Sequence, residues 1–104
     1  MSYAKKEGYA PAQVKCSFFA LALTHPVRIC ILDLLHEKPM THEEISRRVP
    51  LSESTVSHHL RILYERGLIR YAEQHPWIYY SLDEEGLRVM RREMEACLGP
   101  IWGE

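Results

Sequence analysis

The chain has 104 residues, 46% of them hydrophobic, which suits one domain with one core and leaves no room for a second. A formal net charge of −1 excludes binding to nucleic acid through bulk positive field. No apolar run is long enough to cross a bilayer, and Cys16, Cys30 and Cys97 form no CxC or CxxC pair, so the expectation is a cytoplasmic chain with free thiols, no membrane association and no cofactor.

Residues 1–10 are polar and lack apolar periodicity, and are read as a flexible N-terminal arm. The remainder, 11–104, is read as a single domain. A first helix starts at Pro11 with the stripe Val14, Phe18, Leu21 and Ala22, and runs to about Thr24. Pro26 opens a second helix with Ile29, Leu32 and Leu35 on one stripe, closed by Lys38-Pro39. Cys30 lies beside Ile29 and Ile31 and is read as core. Thr41 and Glu44 have capping-box spacing and start a short third helix that ends near Val49, before Pro50. Ser52 caps a fourth helix through Arg66, which Gly67 stops.

Beyond Gly67 the period shortens toward two. Ile69 and Tyr71 mark one strand; Ile78, Tyr80 and Leu82 mark another, with Gln74-His75-Pro76 as the turn. Trp77, Tyr79 and Tyr80 are expected to pack this hairpin onto its helix. Asp83 caps a last helix striped by Leu87, Met90, Met94, Cys97 and Ile101. The fold class is mainly α with a small β-hairpin, a winged helix-turn-helix of order α-α-α-α-β-β-α.

The fourth helix carries the chemistry. At 100° per residue Val56, Leu60 and Leu63 fall within about 60° and form the buried stripe, with His59 packed at its edge. The opposite face holds Ser54, His58, Arg61 and Glu65, flanked by Ser57. Hydroxyls, an imidazole and a guanidinium in the first turns suit major-groove reading, because Arg grips guanine bidentately and hydroxyls bond phosphate or base edges. Thr55 joins this set. Arg70 and His75 on the hairpin are expected to touch the DNA backbone. From Asp83 onward six acids face three arginines, so the end of the chain should turn away from phosphate.

Three stretches, LTHPVRICIL at 23–32, LSESTVSHHL at 51–60 and LYERGLI at 63–69, together resemble the ArsR/SmtB family of regulators. The resemblance implies a homodimer built from the first and last helices, binding to a palindromic double-stranded operator as a repressor, and often an inducer. Its base contacts would fall on Glu53, Ser54, Ser57 and His58. Many relatives carry Gln at the position of Glu53, and an acid there either accepts from cytosine or faces the phosphates. The family's metal sites have no counterpart here: the third helix lacks cysteine, the last lacks histidine, and His42 beside Glu43 and Glu44 is too thin a ligand set.

Cys16 and Cys97 lie on the two dimerisation helices. They are read as core hydrophobes or as a thiol pair answering a thiol-reactive or small-molecule inducer. The rival reading of the whole chain is a winged-helix protein-interaction module without specific DNA binding. An enzyme is disfavoured, since no nucleophile elbow, phosphate loop or metal-hydrolase motif positions the Cys and His residues.

Overall fold

A computed structural model describes residues 8–102, in the order α1 (Pro11–Leu21), α2 (Pro26–Glu37), β1 (Met40–Thr41), α3 (His42–Arg48), α4 (Glu53–Glu65), β2 (Ile69–Gln74), β3 (Trp77–Leu82) and α5 (Glu84–Leu98). Most of the expected N-terminal arm lies outside the described residues. The caps form as anticipated. Thr41 Oγ1 accepts from the Glu44 amide at 3.1 Å while Glu44 Oε1 accepts from the Thr41 amide at 2.9 Å, the reciprocal pairing of a capping box. Ser52 Oγ accepts from the Thr55 amide, and Asp83 Oδ1 from the Gly86 amide.

The hairpin pairs Ile69 with Leu82 through Gln74 with Trp77, and its turn is His75-Pro76. A third strand joins it. Met40 and Thr41 pair antiparallel with Tyr80 and Tyr79, giving the order β1-β3-β2 and fastening the start of α3 to the wing. Two residues carry no periodicity, so sequence pattern did not reveal this strand.

One apolar cluster joins α2, α3, α4 and the sheet: Ile31, Leu34, Met40, Ile45, Val56, Leu60, Leu63, Leu68 and Ile69 are all buried. The inward face of α2 is Arg28, Ile31, Leu34 and Leu35, displaced from the expected stripe. Ile29 and Cys30 are exposed, which corrects the reading of Cys30 as core. Apolar residues occupy most of the helix circumference, so periodicity left its orientation open, and a buried arginine decides it.

Arg28 is only 5% exposed. Its Nε donates to His59 Nδ1 at 3.0 Å and its Nη1 donates to the Leu21 carbonyl at 2.9 Å, so one side chain on α2 holds the end of α1 and the middle of α4. Burial, then the Arg28 charge, then the neighbouring His25 and His58, keep the His59 imidazole below its ordinary range and therefore neutral.

The other close junction is glycine on glycine. Gly67 has φ +79°, the left-handed conformation that stops α4, and the Leu68 amide donates back to the Leu63 carbonyl. A β-carbon on Gly86 would overlap the Gly67 carbonyl oxygen, so α5 can begin here only on a glycine.

Two stability effects follow. Gly86→Ala should cost about 1–3 kcal/mol by overpacking against backbone, more than Gly67→Ala, which meets open space and costs about 1–2 kcal/mol in left-handed strain; urea unfolding at constant slope measures both. A group whose folded pKa is depressed takes up its proton preferentially in the unfolded chain, so His59 stabilises fully above the unfolded value of about 6.5 and less as pH falls below it. His59→Gln, which keeps an acceptor for Arg28, should flatten the fall in stability below about pH 6.5 by up to ~1.4 kcal/mol per pH unit; an unchanged pH slope would show that His59 does not carry it.

Candidate nucleic-acid interface

α3 and α4 are joined by the four residues 49–52, which carry Pro50 and the cap Ser52. With Val56, His59, Leu60 and Leu63 turned inward, α4 presents Glu53, Ser54, Ser57, His58 and Arg61 to solvent. Thr55 is drawn partly aside: its Oγ1 lies 2.9 Å from Ser52 Oγ, within the cap rather than on the outward face. Arg61 Nη2 donates to His58 Nδ1 at 3.1 Å, so the two side chains form one unit whose remaining N–H groups point outward. Arg47, Arg88 and Arg91 are each tied to a carboxylate on their own helix, whereas Arg61 is held by an imidazole and keeps its charge uncompensated.

The face extends beyond the residues that sequence singled out. Ser57, Leu60, Arg61, Tyr64, Tyr71 and Tyr80 line a shallow cleft between α4 and the wing. The Tyr64 and Tyr71 rings are 5.3 Å apart and Tyr71 and Tyr80 6.2 Å, a row that bridges helix to sheet. Burial and the nearby Tyr71 push the Tyr80 phenol above its ordinary value, so it stays a neutral donor. Ser57, Arg61 and Tyr64 recur at spacings of four and three, a signal that could have found Tyr64; Tyr71 needed the strand pairing.

Two wing residues separate. His75 is exposed in the turn at the tip. Arg70 alternates onto the sheet face opposite Tyr71, in a depression it shares with Asp83, Glu84, Glu85 and Arg88 at the start of α5. The structure thus brings Ser54, Ser57, His58 and Arg61 together, with Glu53 at the start of their helix, and sets Arg70 apart. Trp77 also stands exposed rather than packing the wing to its helix. Its partner in the ladder is Gln74, on that same outer face.

On the far side of the molecule α1 packs against α5. Cys16 is buried there, with Cys97 of the same chain near enough to act on its thiol. Burial, then the adjacent Cys97, push the Cys16 thiol above its ordinary value. Phe18 and Leu21 remain 42% and 48% exposed, and no residue of α5 is fully buried despite its apolar stripe. Among the described residues no three His, Cys, Asp or Glu side chains converge as a metal site, and no single helix is long and apolar enough to cross a membrane.

The model of a family described as bacterial regulatory protein, arsR family, matches residues 25–71, from the N-cap of α2 through Tyr71. A transcriptional repressor SmtB homolog of Synechocystis sp. is 32% identical over 83 residues, 80% of this chain and 62% of that relative, so the match spans less than two thirds of the relative's length. Transcriptional repressor SdpR of Bacillus subtilis is 39% identical over 62 residues, covering 60% of this chain and 69% of SdpR. Among solved structures, the homodimeric winged helix-turn-helix DNA-binding domain of a possible ArsR-family regulator from Mycobacterium bovis superposes with a TM-score of 0.69 at 24% identity, over 88% of this chain and 85% of that one, a likeness of fold. The helix-turn-helix and wing, the family match across the helix-turn-helix and the identity to SdpR agree: this chain belongs to the arsR family of bacterial regulatory proteins.

Proposed function

We propose that the chain is a homodimeric, sequence-specific DNA-binding repressor that reads a palindromic operator with α4. The observation that carries this reading is the outward group Ser54, Ser57, His58 and Arg61, set on a helix whose other face is locked into the core by Val56, His59, Leu60 and Leu63. Arg61 and His58 offer donors to base edges. Glu53 and Ser54, in the first turn, reach bases or phosphate, and His75 at the wing tip reaches the backbone. Thr55, held in the cap, contributes by fixing the start of α4. Arg70, beside three carboxylates, adds only weak backbone attraction.

The half-covered faces of α1 and α5 support a two-fold dimer, since Phe18 and Leu21 leave an apolar surface that a second copy would cover. Such a dimer places two copies of α4 on half-sites about 34 Å apart. Operator fragments selected from random DNA, titrated by anisotropy with stoichiometry from sedimentation, test the reading. Arg61→Ala and His58→Ala should each weaken selected binding by about 1–3 kcal/mol and leave the fold intact. His75→Ala should lower affinity about equally for all sequences. Affinity independent of sequence and salt would favour the protein-interaction module instead.

The releasing signal on this reading is thiol oxidation, supported by the packing of α1 on α5, which brings Cys16 and Cys97 near one another. With hydrogen peroxide as oxidant, the half-buried Cys97 attacks as thiolate, giving a sulfenic acid and hydroxide. The Cys16 thiol then attacks the sulfenic sulfur, forming one disulfide and releasing water. In a Cys30→Ser background, which removes the exposed third thiol, peroxide should release the operator and remove two hydrogens per chain. Adding Cys16→Ser and Cys97→Ser should abolish both effects; release that persists without these thiols, or a protein that ignores peroxide, would leave them as packing.

A further inference from the structure

His42 opens α3 and at first sight is a polar residue beside a cap. Its ring, however, is engaged at both nitrogens. Nε2 lies 2.8 Å from Ser57 Oγ on α4, and Nδ1 lies 3.4 Å from Ser46 Oγ one turn along α3. A serine inside a helix commonly turns its hydroxyl back onto a carbonyl of its own helix, as Ser17 does to Val14. Ser57 is instead drawn across to a different helix. It also lines the same cleft as Arg61 and Tyr71.

A serine hydroxyl offers one hydrogen and two lone pairs, and what it presents to a partner depends on which its neighbour has taken. An imidazole that donates from Nε2 occupies a lone pair and leaves the Ser57 hydrogen free. An imidazole that accepts at Nε2 consumes that hydrogen and leaves only acceptors. Ser46 stands behind the ring, and a Ser46 hydroxyl that donates into Nδ1 goes with the form that has the hydrogen on Nε2. We propose that His42 is a positioning residue for sequence reading: it holds the Ser57 hydroxyl as a fixed donor toward DNA, so that α3 sets what α4 reads at one base pair of each half-site. In the major groove a hydroxyl donor is matched by guanine through N7 and O6, by adenine through N7 and by thymine through O4, whereas cytosine presents only its amino donor.

This inference rests on α4 being the DNA-reading helix, and the experiment separates the two. Wild type, Ser57→Ala, His42→Ala and His42→Gln are each used to select bound duplexes from a random library, and the affinities for the wild-type consensus and its single-base variants are then measured. The wild type should discriminate against cytosine at one position per half-site. Ser57→Ala and His42→Ala should each lose about tenfold for the consensus and relax preference at that same position alone. The double variant should lose no more than either single one, because the two side chains act as a unit. His42→Gln, which keeps a donor of similar reach, should restore part of the preference. No enrichment of any sequence by the wild type would overturn the DNA reading and this inference with it. Enrichment by the wild type with an unchanged profile in His42→Ala, or a uniform loss at every position, would overturn this inference alone.

Discussion

The mutual placement of α1, α2 and α4 depends on where the Arg28 guanidinium can find acceptors. A cation removed from water is costly unless hydrogen-bonded, and both acceptors traced here, the Leu21 carbonyl and His59 Nδ1, are uncharged. They belong to two different helices. The end of α1 and the middle of α4 must therefore both converge on α2. With His59 turned inward to accept, Val56, Leu60 and Leu63 follow it into the core, and His58 and Arg61 are left outside. The same bond requires a neutral imidazole, which burial and the adjacent cation enforce. The polar contact thus reinforces the rotation of α4 that its apolar stripe sets, and fastens α2 and the end of α1 to it.

The outward face of α4 is framed by α3 on one side and the wing on the other. β1 ties the first residues of α3 to β3, and the capping box fixes the angle at which α3 leaves that strand. This places His42 against Ser57. On the other side of α4, the row Tyr64, Tyr71 and Tyr80 joins helix to wing. The wing cannot shift without disturbing these rings, nor α3 without disturbing the sheet, so the outward side chains of α4 are held in a defined frame before any ligand arrives.

Charge is distributed to match. Arg88 and Arg91 on α5 are paired with Glu85 and Glu95 on the same helix, and the acids at the start of α5 crowd the sheet face that carries Arg70. The uncompensated guanidinium of Arg61 is on the opposite side of the sheet, so a chain of net charge −1 can still present a locally cationic surface. α1 and α5 are left with apolar area and a thiol pair, features suited to a partner subunit and not to phosphate.

Sequence alone determined the five helices and the hairpin in their order, the caps and the outward group on α4, because these depend on residues a few positions apart. Helix periodicity separates Val56, Leu60 and Leu63 from Ser54, His58 and Arg61 whatever the rest of the chain does, and Thr41, Ser52, Asp83 and Gly67 act on their own backbone neighbours. The resemblance carried by 23–32, 51–60 and 63–69 pointed to the family for the same reason: its motifs are contiguous. Tertiary structure decided what depends on distant partners. Ile29 and Cys30 face solvent because Arg28, bound 31 residues away at His59, sets the rotation of an almost uniformly apolar helix. Arg70 faces the acids of α5 because strand pairing sets its side of the sheet, and two residues became β1 only because β3 lay beside them. His42 meets Ser57 across 15 residues, a contact that no local spacing encodes, since it exists only once two helices and a strand have packed.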